Sequence, residues 1–128
     1  LSGKTIALWG LAFKPETDDI REAPSLYIID ELLAKGAKLK AFDPEAMENV
    51  KKKLGDKLEY ATSMYGAIEN ADALIVCTEC SIFRTPNFKK LRENLNQPII
   101  FDGRNLYDVA EMEREGFAYF SIGRKNVL

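Results

Sequence analysis

Thr5-Ile-Ala-Leu-Trp9 runs straight into Gly10-Leu-Ala-Phe-Lys-Pro-Glu-Thr-Asp-Asp-Ile-Arg-Glu-Ala-Pro-Ser25, and this junction decides the fold. The first five residues form an apolar run of strand length, bounded by glycine, which reads as a buried strand. Residues 26–33 (Leu-Tyr-Ile-Ile-Asp-Glu-Leu-Leu) read as a helix with apolar residues on more than one side. Between them lie about a dozen mostly polar residues, whereas strand-to-helix connections usually run about 2–6 residues. Open α/β sheets place ligands at the carboxyl ends of their strands. The long loop puts two cations there, Lys14 and Arg21, so function is sought at this rim.

Outward from this junction the pattern alternates. A strand over residues 4–10 precedes a helix over 24–35, with Pro24 suited to a first turn and Gly36 to a left-handed stop. A strand over 37–42 ends at Asp43-Pro44 and is followed by a helix over 44–54. Residues 58–60 read as a short strand near an edge, 63–70 as a short helix and 73–77 as a buried strand. A helix over 86–95 carries Phe88, Leu91 and Leu95 at helical spacing. A strand over 98–102, a helix over 108–115 and a strand over 118–121 complete the series. The tail 122–128 is expected to fray.

Six strands alternating with helices require right-handed crossovers. The expectation is therefore a Rossmann-like, doubly wound α/β fold: three αβα layers around a mostly parallel six-stranded sheet in the order 3-2-1-4-5-6. The loops after strands one, four and five then share one rim around the switch point, bringing Lys14 and Arg21 near Thr78-Glu79-Cys80 and Gly103-Arg104. Residues 1–128 read as a single domain without repeats, low-complexity tracts or a linker. A start at Leu1-Ser2-Gly3, without an initiator Met and almost directly in a strand, is expected of the excised part of a longer protein.

Composition narrows the function. Eighteen Lys and Arg stand against 20 Asp and Glu, which leaves no cationic stripe of the kind a nucleic-acid surface needs. No apolar run approaches membrane-spanning length, and no signal peptide is expected. Two cysteines without a disulfide framework suggest a reducing, cytoplasmic setting. The absence of histidine excludes Ser/His/Asp and Cys/His catalytic arrangements within these residues.

Each candidate group has two readings. Lys14 and Arg21 either bind phosphate or carboxylate oxygens or pair with Glu16, Asp18, Asp19 and Glu22 to hold the loop. Arg104, emerging after Asp102-Gly103, either faces the same ligand or forms a salt bridge with an acidic loop residue. Gly103 permits a sharp turn or a close backbone approach. Asp43 stands where a ribose-binding acid lies in dinucleotide folds, but the G-x-G-x-x-G fingerprint is missing, so a helix cap ahead of Pro44 is favoured. Cys77-Thr78-Glu79-Cys80 has C-x-x-C spacing but no further Cys or His to complete a metal site, and Cys77 falls inside an apolar strand. A buried Cys77 and an incidental Cys80 are expected.

The residues also carry a resemblance. Gly10 to Ser25, with Phe101-Asp-Gly-Arg-Asn-Leu-Tyr-Asp108 and Gly116-Phe-Ala-Tyr-Phe-Ser-Ile-Gly-Arg124, closely resemble the carboxy-terminal domain of the UDP-glucose/GDP-mannose dehydrogenase family, nearest in wording to its UDP-glucose 6-dehydrogenase branch. The resemblance covers essentially the whole chain. It implies the UDP-sugar-binding part of an enzyme that oxidises the C6 alcohol of UDP-glucose twice, with two NAD⁺. It further implies that Phe13, Lys14 and Arg104 contact the UDP-sugar and that Arg21 reaches NAD⁺, which is held mainly by an amino-terminal domain. The catalytic cysteine of such enzymes belongs to a central region absent here, and neither Cys77 nor Cys80 matches it. No catalytic residue and no metal ligand is expected in this chain. The implied partners are the amino-terminal and central domains of the same enzyme, in a parent that is a homodimer or larger. The alternatives are a sister enzyme acting on GDP-mannose or a UDP-N-acetyl-hexosamine, or a non-catalytic binding domain whose cations are internal ion pairs.

Overall fold

Thr5–Trp9 (β1) lies at the centre of a six-stranded sheet, and from Ile6 onward every residue of it is buried. A strand covered on both faces needs apolar side chains on both, which is why this run does not alternate with polar residues. The computed structural model describes residues 3–11, 24–78 and 81–121. The other elements are α1 (Pro24–Ala34), β2 (Lys38–Phe42), α2 (Met47–Leu54), β3 (Glu59–Tyr60), α3 (Met64–Ile68), β4 (Ala73–Val76), α4 (Ser81–Arg84), α5 (Phe88–Asn94), β5 (Ile99–Asp102), α6 (Val109–Arg114) and β6 (Ala118–Ser121). The strand order is β3-β2-β1-β4-β5-β6, as expected, and every pairing is parallel. The switch point lies between β1 and β4, where Trp9 stands opposite Val76.

The side-chain period of two along β1 divides the core. Ala7 and Trp9 pack with Ile68, Phe83, Leu91, Ile100, Met112 and Tyr119 on the face covered by α3 to α6. Ile6 and Leu8 pack with Ile29, Leu39, Ala41 and Val50 on the face covered by α1 and α2. Trp9 is fully buried, stacks on Phe83 with ring centroids 5.2 Å apart, and donates its indole N–H to the Met64 carbonyl at 2.8 Å. The central strand is thereby fastened to α3 and α4 together. Towards the β6 edge, Phe101 stacks on Phe120 at 4.9 Å and stays 42% exposed. No described helix is long and apolar enough to cross a membrane.

Three local expectations are corrected. The helix expected from Pro44 begins at Met47, because the Asp43 carboxylate accepts the N–H groups of Glu45 (2.8 Å) and Ala46 (2.9 Å) and holds a turn there. Asp43 thus caps a turn, not the helix, whose first cap position is Ala46. The helix expected over 86–95 is Phe88–Asn94, because the Asn87 side chain accepts the Lys90 N–H and starts it late. The four-residue α4 before it carries too little periodicity to be read from sequence. Gly36 does end α1 in the left-handed region (φ 84°), with Ala37 N–H donating to the Leu32 carbonyl.

Gly10 has the tightest backbone requirement in the described chain. Its φ is +95°, and a Cβ built there meets Thr78 Cβ, with Thr78 Oγ1 at 2.6 Å and the Thr78 backbone N at 2.8 Å. Gly10→Ala therefore combines a left-handed conformation with a clash against backbone, and should cost about 2–4 kcal/mol of stability in chemical denaturation. Loss of less than about 1 kcal/mol would mean that β1 and β4 can separate at this end without penalty.

Candidate functional site

The carboxyl ends of β1, β2, β4 and β5 form one rim. At β1, Gly10 N–H donates to the Phe42 carbonyl and Cys77 N–H to the Trp9 carbonyl, both at 2.9 Å, so the strand is paired to its last residue on both sides. Immediately beyond, Leu11 N–H donates to Asp43 Oδ2 at 2.7 Å and the Leu11 carbonyl accepts the Ser25 hydroxyl at 2.7 Å. Asp43 and Ser25 are each 1% exposed. Both ends of the connection between β1 and α1 are thus pinned at buried side chains.

This arrangement does not suit a dinucleotide. Residues 11–23 separate Gly10 from α1, so the helix start is not delivered in a tight glycine turn as pyrophosphate binding requires. Asp43, at the ribose-binding position, has its oxygens engaged with the N–H groups of Leu11, Glu45 and Ala46. The described residues offer no standard seat for NAD.

At β5 a buried carboxylate builds the rim. Asp102, 2% exposed, accepts the Arg104 N–H through Oδ1 at 2.9 Å. Its Oδ2 accepts the N–H groups of Leu106 (2.7 Å) and Tyr107 (3.2 Å) and the Tyr119 hydroxyl (2.6 Å). Gly103 N–H donates to the Val76 carbonyl at 3.0 Å, and a Cβ on Gly103 comes within 3.3 Å of that oxygen, which explains the glycine as a close approach. The Tyr107 hydroxyl donates to the Phe83 carbonyl at 2.6 Å, tying this turn to α4. Burial, reinforced by the Asp102 charge, pushes the Tyr107 hydroxyl far above the ordinary tyrosine range, so it serves as a donor.

Arg104 is exposed at the start of this turn. Its charge is felt at Cys77, at the end of β4. Burial pushes the Cys77 thiol from the ordinary 9.0 up to about 12, and the Arg104 guanidinium is the opposing influence. Arg104 follows β5, which pairs with β4, so its backbone lies on the carboxyl rim that Cys77 also borders. Phe13, Lys14, Arg21 and Cys80 lie outside the described residues. Sequence reasoning did not assign Asp102, Tyr107 and Tyr119. An aspartate followed by Gly-Arg-Asn is a local signal for a side-chain-held turn, but nothing local marks Tyr119 in β6 as its partner.

Residues 7–109 match the model of the UDP-glucose/GDP-mannose dehydrogenase family, UDP binding domain. The chain is 47% identical over 127 residues to a UDP-glucose 6-dehydrogenase of Pseudomonas aeruginosa, covering 95% of this chain and 28% of that protein. It is 43% identical over 127 residues to UDP-glucose 6-dehydrogenase TuaD of Bacillus subtilis, covering 99% of this chain and 28% of that protein. Among solved structures, the NDP-N-acetyl-D-galactosaminuronic acid dehydrogenase of Methanosarcina mazei superposes with a TM-score of 0.84 at 29% identity, over 97% of this chain and 25% of the other. A UDP-glucose dehydrogenase of Pyrobaculum islandicum gives 0.77 at 28% identity, over 94% and 25%. The chain spans 25–28% of the length of these relatives.

The Cys77 thiol yields a pH prediction with a definite sign. Its pKa is raised on folding, so the folded state holds the proton more tightly than the unfolded one. That contribution is complete below about pH 9 and is lost as the pH climbs toward about 12. Tyr60 and Tyr107 are shifted in the same direction. Denaturation across the alkaline range should show stability falling with pH, and Cys77→Ala should make the fall shallower. An unchanged slope would show that the thiol ionises freely in the folded chain.

Proposed function

We propose, from the premise that this chain belongs to the UDP-glucose/GDP-mannose dehydrogenase family as its UDP-binding domain, that it is the nucleotide-sugar grip of an NAD-dependent UDP-glucose 6-dehydrogenase. The whole enzyme would oxidise the C6 alcohol of UDP-glucose to a carboxylate, consuming two NAD⁺. The observation that carries the reading is the delivery of Arg104 to the carboxyl rim by a turn fixed on buried Asp102. A guanidinium presents paired donors that suit diphosphate oxygens. Phe13 and Lys14 complete the UDP-sugar contacts in this reading, and Arg21 reaches NAD⁺ from the side.

Division of labour follows from what the described residues lack. NAD⁺ would supply the hydride acceptor, and its main seat is assigned to another part of the polypeptide because Asp43 and the β1 connection do not suit it. Cys77, buried with its thiol pushed up to about 12, is unsuited to act as a thiolate nucleophile. The contribution of residues 1–128, as one domain, is therefore binding energy from the remote nucleotide, used to hold the sugar C6 in place. UDP-glucose as the specific sugar is supported by the 40–47% identity to enzymes named for it. In this reading the enzyme works in the cytoplasm as a homodimer or larger.

Three measurements test the proposal. In the full-length polypeptide, UDP should bind and GDP should not. Arg104→Glu should raise the KM for UDP-glucose at least about tenfold, since one charge-assisted hydrogen bond is worth about 1.5–3 kcal/mol. If Arg104→Glu instead lowers the melting temperature and leaves affinity unchanged, Arg104 is an internal ion-pair partner and the chain is a binding domain of another kind. A preference for GDP-mannose or a UDP-N-acetyl-hexosamine would reassign the substrate within the family. Separately, residues 1–128 alone should produce no NADH from UDP-glucose and NAD⁺; any steady production would contradict the assignment of catalysis to other parts of the polypeptide.

A further inference from the structure

Arg104 is a long side chain on an exposed turn, and four rotatable bonds give it no fixed direction of its own. Where that side chain starts from is set by its backbone. That backbone is unusually constrained. Asn105, the next residue, sits at φ 56°, a left-handed conformation that few side-chain-bearing residues other than asparagine and aspartate adopt readily. A turn of this shape persists only where its surroundings over-determine it. Among those surroundings one carboxylate touches the turn on both sides of Asn105. Asp102 Oδ1 accepts the N–H of Arg104 itself, while Oδ2 accepts those of Leu106 and Tyr107 on the far side of Asn105, so the strained residue is bracketed.

The carboxylate is held in turn. The Tyr119 hydroxyl lies 2.6 Å from Asp102 Oδ2 and 3.2 Å from the Tyr107 carbonyl, and the shorter distance and the charge direct its proton to Asp102. Tyr119 is fully buried in β6, one strand away. We infer that Asp102, clamped by the Tyr119 hydroxyl, is the positioning residue that sets how well Arg104 grips the nucleotide diphosphate; the inference rests on the Arg104 reading given above. A pre-set turn spares the ligand the entropic cost of ordering it, so loosening the turn weakens binding without touching the reacting atoms.

The test avoids Asp102→Ala, which strands three N–H groups and a hydroxyl in a buried site and threatens the fold. Tyr119→Phe removes one donor and keeps the ring, and Asp102→Asn keeps the shape and removes the charge. Each is made in the full-length polypeptide, alone and combined with Arg104→Ala, and KM for UDP-glucose and kcat are measured along with thermal melting. The expected result is a KM raised roughly three- to tenfold by Tyr119→Phe and further by Asp102→Asn, with kcat within about twofold. On the Arg104→Ala background both changes should leave KM unaltered while still lowering the melting temperature. A purely structural role predicts the opposite: equal effects on both backgrounds, or a loss of kcat at constant KM, and either overturns the inference. If Arg104→Ala alone leaves KM unchanged, the assignment of Arg104 to the ligand falls first, and the inference falls with it.

Discussion

The close approach of Gly10 to Thr78 is the constraint on which the rest of the molecule depends. Two parallel strands that wind outward in opposite directions must lie side by side at the switch point, with no side chain between their ends. Gly10 achieves this by having no Cβ, and Thr78, 1% exposed, fills the space. Trp9 and Val76 can then stand opposite each other, and the core on each face closes over β1. A bulkier residue at position 10 pushes the two halves of the sheet apart at their common edge.

Two buried aspartates extend this constraint to the rim. Asp43 ends β2 and Asp102 ends β5, and each spends both carboxylate oxygens on backbone N–H groups of rim turns. Burying a carboxylate is favourable only when hydrogen bonds replace its lost water, and main-chain donors at a strand end supply them at fixed geometry. Asp43 fastens the exit of β1, and Asp102 shapes the turn that presents Arg104. A position that in dinucleotide folds faces the ribose here faces the protein's own backbone. The same architecture thereby spends this position on its own structure.

Chemistry at the rim follows from this scaffolding. The Cys77 thiol is buried below it and is suited to packing alone, so the C-x-x-C spacing is incidental at its first residue. What the described rim presents outward is the exposed Arg104, on a turn tied through Tyr107 to α4 and through Tyr119 to β6. Binding without catalysis is a coherent task for such a surface. In the proposed reading the domain would supply remote binding energy while the reacting atoms belong to other parts of the polypeptide.

The sequence by itself determined the alternation of elements, the strand order and the family motifs, because each is written in short-range signals: apolar runs of strand length, Gly36 after α1, Gly-Arg at the end of β5. It also placed Arg104 on the rim, since the position of a residue just past a strand end follows from topology alone. Tertiary structure decided what those signals leave open. Asp43 read as a helix cap and became the holder of a turn and of Leu11, because its second oxygen meets a residue 32 positions away. Asp102 read as part of a motif and became a hub, because parallel pairing of β5 with β6 brings Tyr119 within reach. Periodicity reports only on a residue's near neighbours along the chain. Which distant donor meets a buried carboxylate is fixed by sheet register and packing, and that information exists only once the chain has folded.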